Sequence, residues 1–539
     1  MVLRFVLPIC LAAGLAVPAT AATGAVAPVP PSLGYTIQDH AYDPVAAAIE
    51  DVVAHLGDGG KFVSTADARA IAAFYADNGF APVWVDDDGL SERARAVAER
   101  LRAADLDGLR PRDYPTPPDS GFIDRRNLAK AEVMLSYSAV TYARHAYTGR
   151  LEPKKLSSNF GYDPHTIDPA EVLHRLSLAQ NPVAELDGFN PQHDDFQRLR
   201  MRLAEVRADD SVRPPFIPDG RYMQLGKTDK RVPLLREHLK IASNAEKPEL
   251  FDEELDLAIR AFQEESGLTV DGIVGPGTLG VLNQAAVDHE STILVNMERW
   301  RWMPKELGNF YVRVNVPNFN VEIHRDGEVY HETRIVVGKP QHATPIFSDE
   351  IEHVIVNPTW HVPASIARNE LIPAARRNAG SVRGYQVLAN INGRFQAVDP
   401  TRINWSVADA SVIRFKQPPG TRNALGRVKF MFPNKYAVYL HDTPSKSLFN
   451  RDYRAYSHGC MRVHNPFDFA DALLLAEPAL SGELLRKKIG GREQQLNLDD
   501  HIPVHITYFT SWVDDSGKLQ IRGDIYGHDK RMKKALGLG

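Results

Sequence analysis

Phe310-Tyr311-Val312-Arg313-Val314-Asn315-Val316 sets valines at 312, 314 and 316 against polar residues, a period of two that marks a half-buried strand. Upstream of this stretch the chain reads as helices, downstream as strands. Residues 320–324 and 328–337 make the next two strands. Arg325-Asp326-Gly327 between them is a hairpin signal, with Gly327 available for positive φ. Further strands are predicted at 353–356, 429–432, 436–441, 504–510 and 519–525, with a helix near 467–476. From Pro363 to about Gln417 the alternation breaks into a helical insertion bearing Arg368, Arg376 and Arg377. The expected fold is multi-domain. An α N-terminal half precedes a β-rich (mixed α/β) domain at 289–530, with the helical insertion at about 363–417 and a tail at 531–539.

The helical half divides in two. Within 41–215, Ser91 caps a helix whose Ala94, Val97, Ala98 and Leu101 fall at i, i+3, i+4 and i+7, and Gly108 ends it. A second helical signal runs from Leu128 to about Tyr147 and stops at Gly149, and Phe80-Ala81-Pro82-Val83-Trp84 is an aromatic, proline-kinked segment. This region reads as a packing domain without chemistry of its own. Residues 216–288 form a compact unit of three helices. Leu235 and Leu239 lie one turn apart, and Leu255, Ala258, Ile259 and Phe262 make one stripe. The turn from Val270 to Thr278 opens a third helix carrying Leu279 and Leu282.

The N-terminus has the three parts of a signal peptide over residues 1–21: Arg4, the apolar run from Phe5 to Val17, and Ala19-Thr20-Ala21 as the cleavage site. A proline-bearing linker is expected over 22–40. Ile9 before Cys10 argues against lipid attachment there, and no later stretch is long and apolar enough to span a bilayer. With 63 basic against 68 acidic side chains, the formal net charge of −5 gives no electrostatic case for a nucleic-acid binder.

Once residues 1–21 are removed, Cys460 is the single cysteine of the chain, in Ser457-His458-Gly459-Cys460-Met461-Arg462-Val463-His464-Asn465. A lone thiol in an oxidising compartment cannot form an internal disulfide and is exposed to oxidation unless its chemistry is used. A free thiol is mostly protonated at neutral pH and needs a base. His441, at the end of the predicted strand 436–441, is the candidate, because a strand end is a rigid mount. After Cys460 the chain is expected to enter a helix, with Asn465-Pro466 as its start signal, and the Gly459 and Cys460 amides to point at a developing oxyanion. Two other readings stand beside this one. His441, His458, Cys460 and His464 could ligate zinc, although a His-x-Cys pair is an unusual start for such a site. Cys460 could also be a buried core residue, which accounts poorly for Ser457, His458 and Arg462 around it.

His441 followed by Ser457-His458-Gly459-Cys460 with Arg462 and Asn465 resembles the signature of L,D-transpeptidases, the cysteine enzymes that cross-link peptidoglycan. Val337-Gly338-Lys339-Pro340, Thr344-Pro345, Asn357-Pro358-Thr359-Trp360, Gly426, Lys429-Phe430 and Asn296 through Trp302 match as well. The three-helix unit resembles a peptidoglycan-binding domain through Ala261-Phe262-Gln263, Gly267-Leu268 and Asp271-Gly272-Ile273-Val274-Gly275. As a whole the chain is similar to the large multi-domain Gram-negative type: helical scaffold (41–215), peptidoglycan-binding unit (216–288) and catalytic domain (289–530) with a capping insertion.

The resemblance implies a periplasmic enzyme without metal or organic cofactor. Cys460 would attack the diaminopimelate carbonyl of a donor tetrapeptide and expel D-alanine. The resulting thioester would pass to a second stem's diaminopimelate amine, making a 3→3 cross-link. His441 would be the base, oriented through a backbone carbonyl near Asp442, and the Gly459 and Cys460 amides with the Tyr439 hydroxyl would hold the oxyanion. His458 and Arg462 would be supports or carboxylate contacts, Ser457 and Asn465 substrate contacts. Arg462 could equally make a structural ion pair, and Trp360 could line the donor groove or pack beneath the insertion. The implied partners are stem peptides and other wall-synthesis enzymes, and carbapenems are expected to acylate Cys460. The same thioester would serve a carboxypeptidase, an endopeptidase or a lipoprotein-attaching enzyme; a wall-binding scaffold with an idle site is the non-catalytic alternative.

Overall fold

The computed structural model describes residues 44–56, 65–122, 124–208, 214–283, 289–477 and 479–538. The expected signal peptide (1–21) and linker (22–40) both lie outside the described residues. Among the described residues no helix is long and apolar enough to cross a membrane.

The helical half is built as its periodicity dictates. Ser91 accepts a hydrogen bond from the Ala94 amide at 3.2 Å and opens the helix Glu92–Arg102, whose Ala94, Val97, Ala98 and Leu101 are buried. The helix ends at Ala103; Gly108, at φ +70°, closes the short 3-10 turn Ala104–Asp107 that follows. The long helix Arg125–Thr148 packs its apolar side into the same core. Its buried Glu132 accepts hydrogen bonds from the Val83, Trp84 and Val85 amides (2.7, 2.8 and 3.0 Å) and from the Tyr75 hydroxyl (2.6 Å). The proline-kinked segment is thereby fastened by a carboxylate whose burial is offset bond by bond.

The three-helix unit comprises Val232–His238, Glu253–Glu265 and Pro276–Leu282 around Ile217, Phe251, Leu255, Ile259, Val274 and Leu279. Gln263 holds its turn: the side-chain amide donates to the Ile273 carbonyl (3.1 Å), and its oxygen accepts from the Asp271 and Gly272 amides (3.1 and 2.9 Å).

The helix His289–Trp302 is buried on every side and joins the helical half to the strands. Glu298 accepts from the Arg150 and Leu151 amides (2.6 and 2.7 Å), Arg301 donates to the Asp107 carbonyl (2.6 Å), and Arg299 pairs with Asp529 (2.6 Å). Gly149 is required at this junction, because a Cβ there would lie 2.8 Å from both Glu298 Oε1 and Trp302 Nε1.

The strand half contains thirteen strands up to residue 507. They are β1 Phe310–Asn315, β2 Asn320–Arg325, β3 Glu328–Gly338, β4 Phe347–Val356, β5 Trp360–His361, β6 Gln386–Ile391, β7 Arg394–Val398, β8 Ile413–Gln417, β9 Val428–Met431, β10 Leu440–His441, β11 Ala455–Ser457, β12 Met461–Val463 and β13 Gln494–Thr507. Eight of them pair in a closed ring, β3–β12–β10–β9–β4–β13–β1–β2 and back to β3, with β11 added in parallel at the end of β3. Closure leaves no long open edge. The core face carries Val312, Val314, Val321, Ile323, Val354, Phe430, Leu440, Met461, Val504 and Ile506. The β2–β3 turn has both Asp326 (φ +51°) and Gly327 (φ +89°) in the left-handed region, as a two-residue hairpin demands.

Three expectations are corrected. The insertion is not mainly helical: β5, β8, β6 and β7 form a separate four-stranded antiparallel sheet, packed with short helices around Ile372, Val382, Val387, Trp405 and Phe415. Asn392-Gly393, both at positive φ, makes its β6–β7 hairpin. Of the strand expected at 436–441, only Leu440–His441 pairs. The Asn434 side chain wraps the preceding residues into a loop, accepting from the Tyr436 amide (3.0 Å) and donating to the Val438 carbonyl (2.8 Å). After Cys460 the chain runs through β12, and the helix Pro466–Leu473 then starts at the expected Asn465-Pro466 signal, with Asn465 at its N-cap. The expected tail is part of the helix His528–Leu536, which buries Met532 and Leu536.

Candidate active site

Strand register assembles the site. β9 sets Lys429 opposite His441 and Phe430 opposite Leu440; β12 runs parallel to β10 and sets Met461 beside Leu440 and Arg462 beside His441. Phe430, Leu440 and Met461 fill the core, so the alternate residues share the opposite face. Lys429, His441 and Arg462 therefore form one row across three strands. One step back along two of those strands stand Tyr439 and Cys460, tied by the bond from the Met461 amide to the Tyr439 carbonyl (3.1 Å). Lys429 belongs to this face, and no role for it follows from the sequence motif; β-register is the signal that places it there.

His441 is buried and locked. Its Nδ1 lies 2.5 Å from the Asp442 backbone carbonyl, which can only accept, so Nδ1 carries the proton and Nε2 the lone pair. Burial, reinforced by the positive charges of Arg462 and Lys429, lowers its pKa to about 3. Asp442 itself turns away from the imidazole: its carboxylate accepts from the Arg427 amide (2.9 Å) and pairs with Lys446 (2.8 Å). Gly426, at φ +62°, leaves the space that this carboxylate occupies.

Cys460 is free and half-buried. Burial pushes its thiol up to about 11, against the opposing pull of the Tyr439 amide and hydroxyl and of Arg462 and Lys429. The resting pair is thus a neutral thiol and a neutral imidazole. Burial likewise raises the Tyr439 hydroxyl far above its ordinary range, so it stays a donor.

The turn carrying Cys460 is braced from within. Ser457 is buried; its hydroxyl donates to the Cys460 carbonyl (2.5 Å) and accepts from the Gly459 amide (3.2 Å). Ser457 is therefore a structural brace, which corrects its expected place among the substrate contacts. The Gly459 amide is committed to that hydroxyl, whereas the Cys460 amide donates to no group among the described residues. Thr344 completes the brace by donating to the Gly459 carbonyl (2.8 Å) while accepting from the Gly338 amide (2.9 Å).

The remaining expected residues lie around this centre. Arg462 is half-buried, and among the described residues its guanidinium has no ion pair or hydrogen bond, which removes the structural-pair reading. His458 faces Glu370 of the insertion (2.6 Å). Trp360 begins β5 at the root of the insertion, its ring 6.2 Å from that of Tyr385. Asn465 is exposed at the start of the helix Pro466–Leu473 and makes no side-chain contact with the site, a correction that follows from the chain leaving β12 before it. His464 packs against Phe449 (4.8 Å), and among the described residues no group of three or more His, Cys, Asp or Glu side chains is arranged to hold a metal ion.

Comparison with known proteins matches the chain domain by domain. Residues 69–203 match a family model described as "Scaffold domain", residues 228–282 "Putative peptidoglycan binding domain", and residues 309–482 "L,D-transpeptidase catalytic domain". A Haemophilus influenzae protein named "Putative L,D-transpeptidase" is 32% identical over 250 residues, which cover 45% of this chain and 49% of that protein. The chain thus matches about half the length of that relative. Among solved structures, an L,D-transpeptidase from Mycobacterium smegmatis is 13% identical, with a TM-score of 0.18 over 37% of this chain and 58% of that one. The catalytic domain of the E. faecium L,D-transpeptidase is 15% identical, with a TM-score of 0.17 over 37% and 96%. A scaffold domain, a peptidoglycan-binding domain and an L,D-transpeptidase catalytic domain are thus matched one after another along this chain.

Proposed function

We propose that this protein is a periplasmic enzyme that forms 3→3 cross-links between peptidoglycan stem peptides through a thioester on Cys460. The observation that carries this reading is the shared sheet face of Tyr439, His441, Cys460 and Arg462. The Cys460 sulfur attacks the diaminopimelate carbonyl while His441 Nε2 takes the thiol proton. The Cys460 amide and the Tyr439 hydroxyl stabilise the oxyanion. Collapse of the tetrahedral intermediate expels D-alanine, whose amine receives the proton from His441. The side-chain amine of a second stem then attacks the thioester, loses a proton to His441 and regenerates the thiol. The two upstream domains support a wall polymer as the substrate. Incubating the purified protein with disaccharide tetrapeptides and weighing the products tests the reading. Cross-linked dimers with loss of D-alanine are expected; trimmed stems alone would make it a carboxypeptidase.

Gly426→Ala is expected to damage the same chemistry from a distance. A Cβ at residue 426 would overlap the Asp442 carboxylate in a backbone conformation that non-glycine residues rarely adopt. Displacing Asp442 shifts the carbonyl that orients His441. The variant should lose about 1–3 kcal/mol of stability and roughly tenfold or more in turnover, read by thermal melting and by product formation.

A further inference from the structure

Three basic side chains gather beside the turn that carries Cys460. Lys339 follows β3, and its amide donates to the Ser457 carbonyl (2.9 Å). Its Nζ lies 3.2 Å from His458 Nε2, and the His342 ring packs tilted against the His458 ring, 4.9 Å between centroids. Among the described residues, one carboxylate reaches this cluster within ion-pair distance: Glu370, whose Oε1 is 2.6 Å from His458 Nε2. A carboxylate only accepts, so His458 Nε2 is a donor and Lys339 adds a full positive charge next to it.

The carboxylate and the three basic side chains come from different elements. Lys339, His342 and His458 are fixed to the barrel, whereas Glu370 lies on Ala367–Leu371 of the insertion, which has its own core. The Glu370 side chain is 47% exposed, against 25% for His458. A half-exposed carboxylate on a separately packed element thus sits against a basic cluster two residues from the nucleophile. The proposed donor peptide carries carboxylates of the same chemistry.

We propose that Lys339, His342 and His458 form a subsite for a carboxylate of the donor stem peptide, and that Glu370 occupies it until the peptide displaces it. This rests on the stem-peptide reading above. The insertion then acts as a competitor for its own active site, and a donor without the matching carboxylate cannot displace it.

The test measures binding without turnover. Full-length Cys460→Ala protein is titrated calorimetrically with a disaccharide tetrapeptide. Adding Glu370→Gln should tighten binding about 3- to 10-fold, since an exposed ion pair of this kind competes weakly. Adding Lys339→Met instead should weaken binding by a similar factor. Peptides amidated at the terminal D-alanine or at the diaminopimelate side-chain carboxylate separate the two sources: the gain from Glu370→Gln should vanish for one of them. An unchanged or weaker affinity in Glu370→Gln, or no effect of Lys339→Met, overturns the subsite while cross-linking by the unaltered enzyme would leave the function standing. No binding to any variant, with no product from the unaltered enzyme, would sink both.

Discussion

Cys460→Ala should abolish cross-linking and covalent capture of carbapenems together, with turnover falling at least about 10³-fold. The expectation follows from the placement of the sulfur. Tyr439 directs both its amide and its hydroxyl at this atom, and Arg462 and Lys429 add positive charge to the same face. The Tyr439 hydroxyl on the same face, raised far above its ordinary range, stays neutral and is no competing nucleophile. The main-chain braces from Ser457 and Thr344 do not involve the sulfur, so the variant should keep its fold. Intact mass after incubation with a carbapenem reads the result directly. An adduct surviving in Cys460→Ala, or cross-linked product above background, would remove Cys460 from the mechanism.

The legible and illegible parts of this site differ for a physical reason. A strand of period two, an N-cap serine and a hairpin glycine are local signals, so β1, the helix after Ser91 and the turn at Asp326-Gly327 all lie where the sequence puts them. His441 and Cys460 were legible because a base, a lone thiol and an accommodating glycine are an unusual combination. Lys429 was not, because its place beside His441 depends on which strands pair and in which register. Glu370 was invisible for the same reason, being far from His458 in sequence and on a different domain element. Ser457 was misread in the other direction: a polar residue beside a nucleophile looks like a substrate contact until its hydroxyl is seen to be spent on the turn. The insertion was read as helical because its arginines and alanines dominate the first part, while the Asn392-Gly393 hairpin signal carries the rest.

His441→Ala should slow acylation of Cys460 by about 10²–10⁴-fold and change its dependence on pH. In the unaltered protein the imidazole is held to about 3 and the thiol pushed up to about 11, so between about pH 5 and pH 9 neither group changes protonation. The acylation rate should therefore be flat across that range, because the reacting form is the neutral pair throughout. A thiolate–imidazolium pair would instead lose rate on the acid side as the thiolate is protonated and on the alkaline side as the imidazolium loses its proton. Without His441 the proton can leave only to solvent, so the rate should rise about tenfold per pH unit towards the thiol's own pKa. Stopped-flow measurement of carbapenem acylation on both proteins separates the cases. A flat profile for His441→Ala would mean that the thiol proton goes elsewhere. A profile for the unaltered enzyme with a midpoint near the ordinary imidazole value of 6.5 would mean that burial does not hold His441 neutral.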